Sequence, residues 1–416
     1  MGIFKKTIAT IMLYLQLMSI NFTFLPFSIR STFSLLAILL IFNKSQIRQF
    51  LKTRTISLSF AFLFVWGLIS FISIFANGTR DFYFISTIIS QLNILLSSIF
   101  IIYILYFKFK YNSLDLINLI IFVIFLFNLS GIILYIFPTL NDLLFSVTVR
   151  SSPYEAEFLE NIKFRFVGFG PHFFGAGVIS GLGLILISSI FKNKNVNLFQ
   201  TIYYLILFIV ILFAGSIASR TTIIGFLISI SNYFFKVNIF RLRNIPFIMG
   251  LSIFIFFIMN FINTNADSNE LTALTKFGFE YYYNFKETGE FTTSSTENLK
   301  EMIKMPSSFL TYILGDGYFT DPNTSFFYKG IDIGYLRLIY YSGIIGLLCM
   351  ILFYYNLINS RIMKNFFGSD FCYLILLYFA IVYFKGVTDI NQFIILIIGF
   401  LYFEKFNIIS YKQFRL

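Results

Sequence analysis

Apolar runs near the length of a bilayer crossing recur along most of the chain, and their spacing constrains the fold more than any motif does. A helix rises about 1.5 Å per residue, so roughly 20 apolar residues cross the hydrocarbon of a bilayer. Twelve such runs are predicted as spanning helices: 7–25, 28–43, 55–76, 82–107, 114–137, 170–191, 198–214, 221–235, 244–262, 333–356, 369–387 and 390–404. Composition agrees, since 58% of the 416 residues are hydrophobic, 12% are charged and the mean hydropathy is +0.82. A soluble domain covers its surface with about twice that share of charge. A cytosolic enzyme, a disulfide-stapled secreted domain and a disordered tail are therefore excluded. The expected fold class is all-α, a polytopic membrane helix bundle of twelve transmembrane helices with one large loop.

The charges give the bundle a direction. The chain carries 31 Lys and Arg against 19 Asp and Glu, a formal net charge of +12. In a soluble protein that excess points to nucleic acid. Among apolar spans it reads as a topology signal, because Lys and Arg accumulate on the cytoplasmic side, and no nucleic-acid partner is expected. With the N-terminus inside, the inner segments hold 18 basic residues opposed only by Asp115, Asp370 and Glu404, while the outer segments hold 13 basic and 16 acidic residues. Both termini are expected to be cytoplasmic. Lys5 and Lys6 precede the first apolar run with no small-residue cleavage site after it, so an uncleaved first helix is expected. Cys349 and Cys372 lie in or beside apolar runs and suggest neither a disulfide framework nor a metal site.

The expected organisation is a first block, 1–262, of nine spans with an outer loop near 138–169, then a large outer loop, 263–332, and then three spans and a cytoplasmic end, 333–416. The 70-residue loop holds 5 basic and 10 acidic residues. Ser294-Ser-Thr-Glu297 fits a capping box, Leu299, Met302 and Ile303 follow on one helical face, and Pro306 ends the run. A small helical lid with many aromatics is the natural reading of a loop this long.

Outer basic residues near membrane depth are the ones topology leaves unexplained, and retaining them there costs free energy. Four arginines fit: Arg150, Arg165, Arg220 and Arg337. Arg220, in Ala214-Gly-Ser-Ile-Ala-Ser-Arg220-Thr-Thr, is the only charge between 198 and 235. Its side chain either snorkels from a tight outer turn or grips an anion bidentately, a lipid-linked diphosphate being the anion expected at that depth. Arg165 opens Arg165-Phe-Val-Gly168-Phe-Gly170-Pro171-His172, an irregular helix start whose free N–H groups also favour an anion. His172, the single histidine, is either a structural residue or a general base. Gly177 and Gly181 are expected to serve close helix packing. Asp332 and Arg337 flank the start of the tenth span five residues apart, with Tyr335 between them as a further substrate-binding candidate. Asp332 either caps the helix and pairs with Arg337 or accepts a proton from a sugar hydroxyl. Lys385 and Asp389 form a weaker candidate pair. No phosphate-binding glycine loop, Asp-x-Asp motif or metal-ligand spacing is present, so no cofactor or metal is expected and the leaving group must arrive with the substrate.

These residues together resemble a known family. Ser219-Arg220-Thr221 opening a mid-chain span, Arg165-x-x-Gly168 followed by Pro171, Asp332-Ile-Gly-Tyr-Leu-Arg337 with Gly343-Ile-Ile-Gly346, and one large late outer loop are similar to the bacterial O-antigen polymerases, relatives of the O-antigen ligases. The ligases commonly show Pro-Asn where this chain has Pro171-His172, and His-Asn in the large loop where it has Asp321-Pro-Asn323, which favours polymerase over ligase. The resemblance implies a metal-independent glycosyltransferase of lipopolysaccharide biosynthesis on the periplasmic face of the bacterial inner membrane. Such an enzyme moves a growing glycan from undecaprenyl diphosphate onto a fresh lipid-linked repeat unit, with a chain-length regulator protein as a candidate further partner. It also implies catalytic roles for Arg220 with Asp332 or His172, and substrate binding by Arg150, Arg165, Arg337 and Tyr335. A flippase for lipid-linked oligosaccharide is the competing class; twelve spans and a basic cavity suit it, whereas transporters tend to show internal repeats and short loops.

Overall fold

The computed structural model describes residues 2–148, 165–193, 197–234, 252, 276–290, 292–324 and 326–413. Arg150 and the expected span at 244–262, apart from residue 252, lie outside the described residues. Every named element is helical. In chain order these are α1 (Ile3–Leu17), α2 (Ile29–Asn43), α3 (Ser45–Leu51), α4 (Arg54–Asn77), α5 (Tyr83–Ile102, continued by a π-helical turn, Tyr103–Lys108), α6 (Ser113–Ile136), α7 (Pro138–Ser146), α8 (Phe173–Asn193), α9 (Leu198–Ala218) and α10 (Thr221–Phe234). They are followed by α11 (Glu280–Thr288), α12 (Ser294–Glu301), α13 (Phe309–Leu314), α14 (Gly334–Ile358), α15 (Arg361–Phe367), α16 (Ser369–Lys385) and α17 (Asn391–Gln413), with a 3₁₀ turn at Tyr328–Gly330.

Among the described residues six helices are long and apolar enough to cross a membrane: α4, α5 with its π-helical turn, α6, α8, α9 and α14. A seventh crossing results if α15 and α16, bent by 112° at Gly368, count as one span. The sequence predicted a span over 369–387; α16 occupies 369–385 of it, and the bend falls just before it, where Gly368 adopts a positive φ of 90°. Two shorter apolar helices, Ile29–Asn43 and Thr221–Tyr233, stand where spans were expected. The loop helix expected from Ser294 forms as α12 and stops at Glu301, five residues before Pro306.

The chain divides into two compact units. One comprises Met1–Ile29 and Ile117–Thr293, the other Arg30–Leu116 and Ser294–Leu416. In the first, α8 is buried along nearly all its length and packs on α9 and α10. The close approach rests on glycine: a Cβ added at Gly225 of α10 would fall onto the backbone of Gly181 of α8, and one at Gly177 would come within 2.7 Å of Ser219. Small residues at helix crossings let backbones meet where lipid offers no hydrophobic drive for association. Polar cross-links accompany them. Ser180 donates to Asn128 Oδ1 at 3.0 Å, Asn232 Nδ2 to Ser188 Oγ at 2.9 Å, and Tyr204 to Asn118 Oδ1 at 2.7 Å.

In the second unit α4 and α14 run antiparallel. Asn356 Nδ2 donates to the Thr55 carbonyl (2.8 Å) and to Ser59 Oγ (2.7 Å) near one end, and Trp66 Nε1 donates to Ser342 Oγ (3.1 Å) higher up. There α14 breaks: Ser342 lies at φ −135°, and Gly343 at φ 68° and ψ −178°. Carbonyls released by the break are taken up by neighbours, the Ser73 hydroxyl donating to Tyr341 O at 2.9 Å and Asp316 N to Tyr340 O at 2.6 Å. An irregular backbone at membrane depth persists only where such partners exist. Elsewhere in the unit α5 meets α17 through Asn391 Nδ2 to Gln91 Oε1 at 3.0 Å, while Gln91 Nε2 donates to Asp389.

The break admits no side chain at residue 343, because a Cβ would lie inside the Ile313 carbonyl and φ is positive. Gly343→Ala is expected to cost at least about 2 kcal/mol, combining left-handed backbone strain with displacement of 313–315. Gly330→Ala, also at positive φ (68°) but with open space, should cost only about 1 kcal/mol. Unfolding by denaturing detergent in mixed micelles measures both, and equal costs would show that the contact with 313–315 is unimportant.

Candidate functional site

Each unit mounts arginines on aromatic rings, and the two arrangements are described separately. In the first unit α9 ends at Ala218, Ser219 is extended (φ −160°), and α10 starts at Thr221, so Arg220 occupies the corner. The packing of Gly177 against Ser219 fixes that corner. A Cβ added at Gly278 would come within 3.6 Å of Ile217 and Ser216 in the last turn of α9, and the close approach this glycine allows seats Phe277 and Glu280 beside the arginine. The Arg220 guanidinium forms an ion pair with Glu280 and lies 4.5 Å from the Phe277 ring centre. Arg165 shares that ring at 4.2 Å and also lies 4.7 Å from the ring of Phe173. Cation–π contacts of this kind gain strength when water is excluded.

The charge balance is uneven. Two guanidiniums face one carboxylate, and among the described residues Arg165 makes no ion pair of its own. Burial and then repulsion from Arg220 lower the Arg165 pKa to about 10, which leaves it protonated at neutral pH. Burial also lowers that of Arg220, against the pull of Glu280. A phosphate or diphosphate would relieve both costs at once. His172 precedes α8, its ring 6.4 Å from that of Phe173, which adopts a positive φ of 45°. Arg165, Arg220 and His172 all belong to the first unit.

The second unit holds Asp332, Tyr335 and Arg337. The Arg337 guanidinium lies 3.8 Å from the ring centre of Phe319 and 4.4 Å from that of Phe327. Tyr83 stacks on Phe319 at 3.5 Å with an interplanar angle of 5°, so the guanidinium takes the opposite face. Asp81 holds this stack together. One carboxylate oxygen accepts from Phe319 N (2.8 Å), Thr320 N (2.9 Å) and Thr320 Oγ1 (3.0 Å), and the other accepts from Tyr83 N (3.2 Å). Asn77 Nδ2 to Gly315 O (3.0 Å) and Thr79 Oγ1 to Gly317 O (2.9 Å) complete the seam. Arg337 is consequently buried and fixed, its NH1 3.5 Å from Asp332 Oδ1 and its Nε buried without a hydrogen-bond partner among the described residues. The carboxyl of Asp332 remains 37% exposed. Burial raises its pKa to about 6, with Arg337 and Lys385 limiting the rise. A partly open carboxyl that titrates near 6 suits proton abstraction near neutral pH. Tyr335 turns away from these groups, since its hydroxyl donates to the Ala380 carbonyl at 2.8 Å.

Sequence reasoning missed Phe277, Glu280, Asp81, Phe319 and Phe327 as parts of these arrangements. Asp81 left one signal, being the first acidic residue of the chain. Glu280 left none, because ten acidic residues of its loop look alike until folding chooses one. Among the described residues no three His, Cys, Asp or Glu side chains gather as a metal-ligand set.

Three outcomes follow from the second arrangement. Because the Asp332 pKa is raised, the folded state keeps a proton that the unfolded chain has released, so Asp332 withdraws stability as pH rises from about 4 to about 6 and no further above that. Arg337→Gln removes the largest opposing charge and should move the carboxyl titration upward, read by difference infrared spectroscopy with isotope-labelled Asp and assigned with Asp332→Asn. Asp81→Ala should expose the covered Arg337 guanidinium to phenylglyoxal, mapped by peptide mass spectrometry; continued protection would show that the clasp is dispensable.

Comparison with known proteins found no family model, no curated protein and no solved structure that matches the chain.

Proposed function

We propose that the chain is an O-antigen polymerase, a glycosyltransferase that moves a growing glycan from undecaprenyl diphosphate onto a lipid-linked repeat unit in lipopolysaccharide biosynthesis. The observation that carries this reading is the pair of guanidiniums, Arg165 and Arg220, on one Phe277 ring, where among the described residues Arg220 pairs with Glu280 and Arg165 has no carboxylate partner. Such a surplus in a chain of apolar helices suits a lipid-borne diphosphate. In the proposed topology the chain crosses the bacterial inner membrane twelve times with both termini cytoplasmic, and 263–332 is periplasmic. Arg165, Arg220, Asp332 and Arg337 then all belong to the periplasmic face, and the bilayer with its lipid-linked oligosaccharides supplies the partners. A chain-length regulator protein is a further partner this reading allows.

The chemistry needs no cofactor. The bond between the anomeric carbon of the donor sugar and the diphosphate oxygen breaks, an acceptor hydroxyl oxygen bonds to that carbon, and the hydroxyl proton passes to a base. Arg165 and Arg220 neutralise the departing diphosphate. Asp332, ionised above about pH 6, is the first candidate for the base, and His172 is the second.

Arg220→Ala is expected to abolish long O-antigen chains while membrane levels of the protein stay unchanged, seen as loss of the ladder on lipopolysaccharide gels. A normal ladder would end the proposal. The purified protein given two lipid-linked repeat units should form a longer glycan, whereas a flippase would form no new glycosidic bond. If Asp332 is the base, the rate rises with pH through about 6 and Asp332→Asn removes that limb.

A further inference from the structure

The segment 303–312, which runs into the start of α13, presents apolar side chains to the surroundings in a part of the chain that the sequence predicts as a large outer loop. Phe309 is 78% exposed, Met305 65% and Leu310 61%, with Ile303 and Tyr312 also open. Single exposed hydrophobics need no explanation, but five within ten residues form a surface that requires a covering. The depth of this segment indicates what covers it. Three contacts tie the end of α13 to spanning helices: Asn77 Nδ2 to Gly315 O, Asp316 N to Tyr340 O, and the Ile313 backbone against Gly343. Gly317 in turn lies against Ser73 and Ile74. The end of α13 therefore sits level with the last two turns of α4, within about 10 Å of the helix end.

At that level α4 itself exposes Phe71, Ile72 and Phe75, the last 78% open, as the top of a band that continues down through Leu68 and Phe64. Such a band along a spanning helix is the surface that lipid covers. We infer that residues 303–312 are docked into the interfacial layer of the bilayer, extending the lipid-facing band of α4, and that the partner of this surface is lipid. An amphipathic segment of this composition lies in the plane of the interface with its apolar side chains at the acyl boundary. The inference rests on packing depth and holds whatever reaction the protein performs.

The test uses the full chain in vesicles of phosphatidylethanolamine and phosphatidylglycerol, with the buried Cys349 and Cys372 replaced by Ala. An environment-sensitive fluorophore on Phe309→Cys should be quenched several-fold more by lipid carrying a nitroxide near the headgroup end of its acyl chain than by aqueous iodide. The same label on Asn323→Cys, in the exposed tip of the loop, should show the reverse. Iodide quenching at 309 equal to that at 323 would overturn the inference, and so would protection from both quenchers, which would mean a protein or a second copy covers the segment. Because the Cys variant could disturb the segment, the wild-type chain provides a second reading. Photolysis with phosphatidylcholine bearing an acyl-chain diazirine should label the peptide containing 303–312, and label confined to the spanning helices would equally sink the idea.

Discussion

A backbone polar group in hydrocarbon must find a partner within the protein, and the break in α14 shows how far that requirement organises the second unit. Ser342 and Gly343 leave the helical geometry and release the carbonyls of Tyr340 and Tyr341. Ser73 takes one and Asp316 N the other, which brings α4 and the end of α13 to the break. Glycine is required at 343 because the Ile313 backbone occupies the space a side chain would need. The upper segment of α14 carries Arg337, so the same contacts that satisfy the break hold the segment 315–320 over that arginine. Stability and site placement are thus the same set of hydrogen bonds.

A second constraint is electrostatic. Guanidiniums taken out of water need compensation, and in both units aromatic faces provide much of it. Phe277 serves Arg165 and Arg220, while Phe319 and Phe327 enclose Arg337. Rings partly offset the lost hydration without neutralising the charge, as a full complement of carboxylates would. The arginines therefore stay rigid and remain positive towards an incoming anion. Asp81 extends the same economy by gathering four donors with one carboxylate and fixing the ring on which Arg337 rests.

Much of this was legible before folding. Helix positions followed from apolar runs: α4 covers 54–77 where 55–76 was expected, and α14 covers 334–358 where 333–356 was expected. Arg220 stood out because nothing else between 198 and 235 is charged, and Gly177 and Gly181 announced close packing that Ser219 and Gly225 complete. The break at Gly343 was invisible, because that glycine sits inside the apolar run expected as one span over 333–356, whereas Gly368 falls in the connection before the expected span at 369–387. Tyr335 shows the opposite error, since its place between Asp332 and Arg337 in sequence suggested a shared role, whereas its helical direction carries the hydroxyl to Ala380.

By itself the sequence determined that the chain is helical and that it carries helices suited to a membrane. Hydropathy and charge are local quantities, and a bilayer reads them segment by segment. Only the tertiary structure decided which acid answers which base: Glu280 for Arg220 across 60 residues, Asp81 for the backbone of Phe319 and Thr320 across 238. It also decided the depth of α13. Those outcomes depend on which helices come into contact and at what register, and helix register depends on packing geometry that no single segment encodes.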